Sequence, residues 1–157
     1  MPITPLHFGV LAPINHFAKD KVSNVSFIIV NVWLDGASIR HALFGAGDYS
    51  HEGHTFYSAL VLAAIVSIFG FKSRKWIYGA FLGGISHILL DMLVHTDMEP
   101  LYPFVSGNPF YMGLMEPLSL ILLPFMLWFI AQCVSSILEK VKANREAAKL
   151  EPQAPSS

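Results

Sequence analysis

Three side chains able to bind a cation or move a proton, His87, Asp91 and His95, stand four residues apart in the apolar stretch "SHILLDMLVH". On a helix each step of four advances by about 40°, so the three lie within about 80° of arc and can face one point. A carboxylate inside an apolar segment costs roughly a few kcal/mol unless a proton, a base or a metal meets it. Residues 76–95 contain no Lys or Arg, so a cation from outside the chain is the natural partner of Asp91.

Further candidates gather at the same level. His51 and His54 precede the apolar run "FYSALVLAAIVSIF", Asp35 closes the run that rises from "KDK", and His7 begins the run that descends to it. Imidazole and carboxylate together suit a divalent metal ion, zinc first and manganese or iron next, and bridging carboxylates allow two ions. Thiolate is missing from the set, because the lone Cys133 stands in another apolar run. Glu52, His95 and Asp97 are placed to supply a catalytic base beside such a centre, and His95 is a candidate ligand as well. His16 and His41 read as interfacial anchors, Glu99 as a loop acid and Glu116 as a helix N-terminal charge.

The elements that must position these groups are expected to be helices in a membrane. The 157 residues are 54% hydrophobic and only 13% charged, with a mean hydropathy of +0.51. A spanning helix takes about 20 predominantly apolar residues. Residues 53–71 and 117–138 contain no charged side chain and residues 76–95 only Asp91, which predicts three long spans. Residues 6–18 and 22–34 flank Lys19-Asp20-Lys21 and reach only about 20 Å each as helices, which predicts an N-terminal short helical hairpin. The expected fold is therefore an all-α, polytopic membrane helical bundle, with loops over 35–52 and 96–112. Residues 1–138 form a single integral membrane domain, and 139–157 a basic tail disordered from 150 onward.

Nine of the ten basic residues fall on one side of this arrangement and only Arg40 on the other, which predicts a multi-pass protein with a cytoplasmic C-terminus. Asp35, Asp91, Asp97 and the histidine candidates then share the outer face. A net charge of -1 without a basic, aromatic-interleaved patch argues against nucleic acid, and one cysteine excludes an intrachain disulfide framework. The expected partners are membrane lipid and a small-molecule or lipid substrate.

The segment "GGISHILLDMLVHTDMEPLYPF", with an upstream "HEGHT" and an N-terminal "TPLHFG", resembles the family of membrane-bound metal-dependent hydrolases, also described as LexA-binding, inner-membrane-associated hydrolases. The likeness runs over residues 1–125 and is most specific in Ser86–Phe104. It implies a small polytopic protein of the bacterial inner membrane with a metal site, distantly similar to zinc-dependent phospholipase C. On that pattern the ligands map to Asp35, His51, His54, His87 and Asp91. The chain departs from it at "HEGH", whose histidines are more closely spaced, and at "LDGAS", which lacks a second acid. The expected function is metal-dependent hydrolysis of a phosphoester or similar group at the outer, periplasmic face. The alternative is a non-enzymatic membrane protein whose histidines and aspartates bind a metal or line a proton or metal-ion pathway.

Overall fold

The structure, a computed structural model, describes residues 4–18, 20–45 and 53–150. Helices account for 71% of these, and no strand occurs among them. The chain opens with α1 (Thr4–His7), a 3-10 turn (Phe8–Val10) and α2 (Leu11–Phe17), which follow one another almost without a break. Then come α3 (Asn24–Leu34), α4 (Gly36–Phe44), α5 (Phe56–Ile68), α6 (Arg74–Asp91) and α7 (Met115–Leu150).

The helical class agrees with the composition, but the three long spans are not formed. One helix among the described residues, α7, is long and apolar enough to cross a membrane, over Met115–Ala148. The apolar run at 53–71 becomes a 13-residue helix because Thr55 caps its start and a turn through Phe69, Gly70 and Ser73 ends it at Ile68. The Thr55 hydroxyl accepts the Ser58 N–H at 2.9 Å, and the Ser58 hydroxyl accepts the Thr55 N–H at 3.2 Å, so helix begins only at Phe56. Helix α6 has 18 residues, yet it starts with Arg74 and Lys75 and carries three glycines, Ser86, His87 and Asp91, which dilute its apolar character. The expected polytopic bundle is therefore replaced by one candidate spanning helix beside a group of shorter ones.

The expected loop at 35–52 also needs correction, since α4 occupies Gly36–Phe44. Only a one-residue break at Asp35 separates it from α3, and its Ala, Ile, Arg and Leu residues sustain a helix. The stretch that follows, with His51 and Glu52, lies outside the described residues, as do 151–157. The basic segment from Lys140 continues α7 as far as Leu150.

Helices α3 and α6 run parallel in close contact. At their start the Ser23 N–H donates to the Lys75 carbonyl at 2.8 Å, and the Ser26 hydroxyl donates to the Trp76 carbonyl at 2.7 Å. A Cβ on Gly79 would collide with the Ser23 carbonyl oxygen, and one on Gly83 would stand 2.7 Å from that of Phe27. Both positions therefore need glycine for the backbones to approach. Gly79, Gly83, His87 and Asp91 form one four-residue stripe along α6, so the face packed on α3 becomes the face that carries the site. Helix α5 runs antiparallel to α6 and packs against both α6 and α3, with Val30, Ala63, Val66 and Ala80 as shared core. The α1–α2 strip fits between this group and α7, where Leu11, Ala12, Phe27 and Phe129 pack together.

Candidate metal centre

The site lies where α1, α3 and α6 end and α5 begins. His7 is the last residue of α1, Asp35 follows α3, Asp91 closes α6, and His54 precedes the cap of α5. His95 stands one turn beyond Asp91, its N–H donating to the Asp91 carbonyl at 2.9 Å. That turn is pinned by Asn108, whose side-chain amide donates to the Met92 and His95 carbonyls, both at 2.7 Å. Asp91 thus sits at a helix C-terminus, whose partial negative charge adds to that of its carboxylate, whereas Asp35 lies between the C-terminus of α3 and the N-terminus of α4, whose dipoles oppose there.

Asp35, His54, His87 and Asp91 are all buried, and one donor atom from each lies within 4.8 Å of the other three. Asp35 Oδ1 is 3.3 Å from His54 Nε2 and 3.6 Å from His87 Nε2, while Asp91 Oδ2 is 3.1 Å from His87 Nε2. Donors held about 2.1 Å from a tetrahedral ion stand about 3.4 Å apart, so these three separations are near what a zinc-sized cation requires, while the group as a whole, spread over up to 4.8 Å, would have to contract around it. The four residues form a group that could hold a metal ion.

His87 gives the group its direction. The Asn31 amide nitrogen donates to the Phe27 carbonyl at 2.9 Å and the Gly83 carbonyl at 3.3 Å, which fixes the orientation of the amide. Asn31 Oδ1 therefore faces His87 Nδ1 at 3.0 Å and must accept from it, so Nδ1 carries the proton. In a neutral imidazole this leaves the lone pair on Nε2. That nitrogen is buried and has no hydrogen bond of acceptable geometry, although Asp91 Oδ2 is only 3.1 Å away. A lone pair turned toward two carboxylate oxygens is repulsive until a proton or a metal cation stands among them. With no metal bound, burial lowers the imidazole's pKa but the Asp35 and Asp91 carboxylates outweigh it and raise the value to about 9, so a metal would have to displace that proton. An oriented imidazole of this kind is what the surroundings of metal-bound histidines commonly enforce.

Of the other residues expected from the sequence, His7 and His95 join the site on its far side. His7 Nε2 is 3.1 Å and His95 Nε2 3.9 Å from Asp91 Oδ1. Asp97 is exposed on the loop after His95, and Glu99 accepts the Gly107 N–H at 3.2 Å, bracing that loop. His16 is exposed beside Phe17 and Trp128, away from the cluster. Asn31 was not among the expected residues, although its place four positions before Asp35 repeats the His87-to-Asp91 spacing. A cleft reaches the cluster between α1, the end of α6 and the start of α7, lined by Leu6, Leu90, Val94 and Leu118 with His7 and His95 at its inner end.

Comparison with protein-family models, with curated proteins and with solved structures finds no match to this chain.

Proposed function

We propose that the chain is a membrane-anchored, metal-dependent hydrolase acting on a phosphoester or similar group. The observation that carries the reading is the convergence of four buried donors, Asp35, His54, His87 and Asp91, with His87 Nε2 directed by Asn31 at the two carboxylates. A divalent cation there, zinc by preference and manganese or iron as alternatives, would supply Lewis-acid polarisation and an acidified water. Asp35, His54, His87 and Asp91 would hold it, the cation replacing the proton now shared between His54 Nε2 and Asp35 Oδ1. The apolar cleft has room for about one water and would have to widen between α1, α6 and α7 to admit a substrate, and His95 stands beside the group as a proton carrier or further ligand. The resemblance of Ser86–Phe104 to membrane-bound metal-dependent hydrolases supports the reaction class.

The exposed apolar surface supports a membrane setting. Only 11% of the most apolar window of α7 is buried, and Phe17, Trp33, Phe69 and Leu120 are each at least 70% exposed. The basic residues Lys140, Lys142, Arg145 and Lys149 support a cytoplasmic far end of α7 on the positive-inside tendency, with the bacterial inner membrane as the setting in this reading. The Met115 end, which borders the cleft, then faces the periplasm. Beyond the site the core of α3, α5 and α6 is built around Val30, Ala63, Val66 and Ala80, with the buried Ser26 hydroxyl taken up by the Trp76 carbonyl, which favours a hydrolase over an ion pathway through that interior.

Hydrolysis of a chromogenic phosphodiester by the detergent-purified protein tests the reading. Turnover should vanish on chelation, return with zinc, manganese or ferrous iron, and be lost in His87→Ala and Asp91→Ala. Absence of cation-dependent hydrolysis of phosphodiester, phosphomonoester and phospholipid alike would overturn it.

A further inference from the structure

The carboxylate of Asp91 is shared between two sets of donors. Its Oδ2 faces His87 at 3.1 Å, on the side of Asp35 and His54. Its Oδ1 faces His7 at 3.1 Å and His95 at 3.9 Å. His7 and His95 come from different elements, one ending α1 and the other in the turn after α6, and both are buried. The His7 ring packs edge-on against His87 with centroids 4.6 Å apart, so the two imidazoles converge on opposite oxygens of one carboxylate.

We propose that the centre is dinuclear, with Asp91 bridging a closed cation site made by Asp35, His54 and His87 and a second, open site made by His7 and His95. The inference rests on the reading of the Asp35–His54–His87–Asp91 group as a metal centre and adds a second ion to it.

The separations suit this division. Donors on one ion stand about 3.0 Å apart in octahedral and 3.4 Å apart in tetrahedral geometry, and the 3.1 Å and 3.9 Å contacts at Oδ1 need only a shift of about 0.5 Å to match. A bridging carboxylate places its ions about 3.5–4 Å apart, the spacing at which two cations clamp the attacking and leaving oxygens of a displacement. The two sites differ in what remains open. The first has four protein donors and is enclosed, whereas the second has three, with His7, Asp91 and His95 lining the inner end of the cleft. Three protein donors and a vacant position are the pattern of catalytic metal sites, so the second ion is the one that meets substrate. This assigns His95 as a ligand and leaves the base to another group.

Metal-stripped full-length protein in detergent, titrated with manganese and followed by metal analysis and electron paramagnetic resonance, tests the proposal. Two equivalents and an exchange-coupled spectrum are expected for the native chain. His7→Ala with His95→Ala should retain one equivalent and give an uncoupled signal. One uncoupled equivalent in the native protein would overturn the second site while leaving the first intact, and no bound manganese or zinc would overturn both. Two coupled equivalents retained by the double variant would overturn the assignment of His7 and His95. Should the double variant fail to fold, the stoichiometry and coupling of the native protein still decide.

Discussion

Replacing Asn31 by leucine separates the orientation of His87 from the ligand atoms themselves. The change keeps the branched shape, with somewhat larger methyl ends, but removes the acceptor 3.0 Å from His87 Nδ1, leaving a buried N–H without its partner. It also removes the donor to the Phe27 and Gly83 carbonyls. An unpaired buried group costs about 1–3 kcal/mol, and loss of a partner behind a metal-bound histidine typically weakens metal binding about 10–100-fold. We therefore expect zinc affinity to fall by about 1.4–2.7 kcal/mol, read by competition with a chromophoric chelator at fixed pH. Asn31→Asp provides the contrast. Its carboxylate still accepts from Nδ1, so affinity should stay within a few-fold of native, while the lost bonds to two carbonyls lower thermal stability. Equal zinc affinity in native protein and Asn31→Leu would refute the claim that Asn31 fixes the tautomer of a metal-binding imidazole.

The packing and membrane placement make predictions of their own. Gly83→Ala puts a methyl 2.7 Å from the Phe27 carbonyl oxygen and should destabilise the fold by about 1–3 kcal/mol in thermal unfolding, because α3 and α6 must separate. Thr55→Ala removes the capping box of α5 and should cost about 1 kcal/mol, with a smaller loss of metal affinity as His54 loosens. Alkaline carbonate washing of membranes should leave the protein in the pellet, and a reporter fused after α7 should be active only in the cytoplasm; release of the protein by the wash would contradict a spanning α7.

Much of the site was legible because it rests on short-range spacing. The four-residue steps of His87, Asp91 and His95 need only a helix to become one stripe, and Asp35, His54 and His7 mark ends of apolar runs that packing brings to one level. Asn31 was not legible: within "FIIVNVWLD" it reads as one polar residue in an apolar segment, and its role depends on Gly83 letting α6 come close enough for His87 to meet it. The span count failed for a local reason. Hydropathy over 53–71 takes no account of the Thr55–Ser58 box, which shortens α5, and over 76–95 it counts glycines that serve helix contact, not lipid contact. The α4 helix was hidden by reading Asp35 and Gly36 as the start of a loop, when Asp35 is a one-residue break between two helices.

The central claim is that Asp35, His54, His87 and Asp91 surround a cation. X-ray absorption at the zinc edge of the loaded protein in frozen solution tests it most directly. The account predicts a first shell of nitrogen and oxygen at about 2.0–2.2 Å, with imidazole outer-shell scattering that weakens in His87→Ala. A shell containing sulfur at about 2.3 Å, or oxygen alone without imidazole scattering, would contradict it.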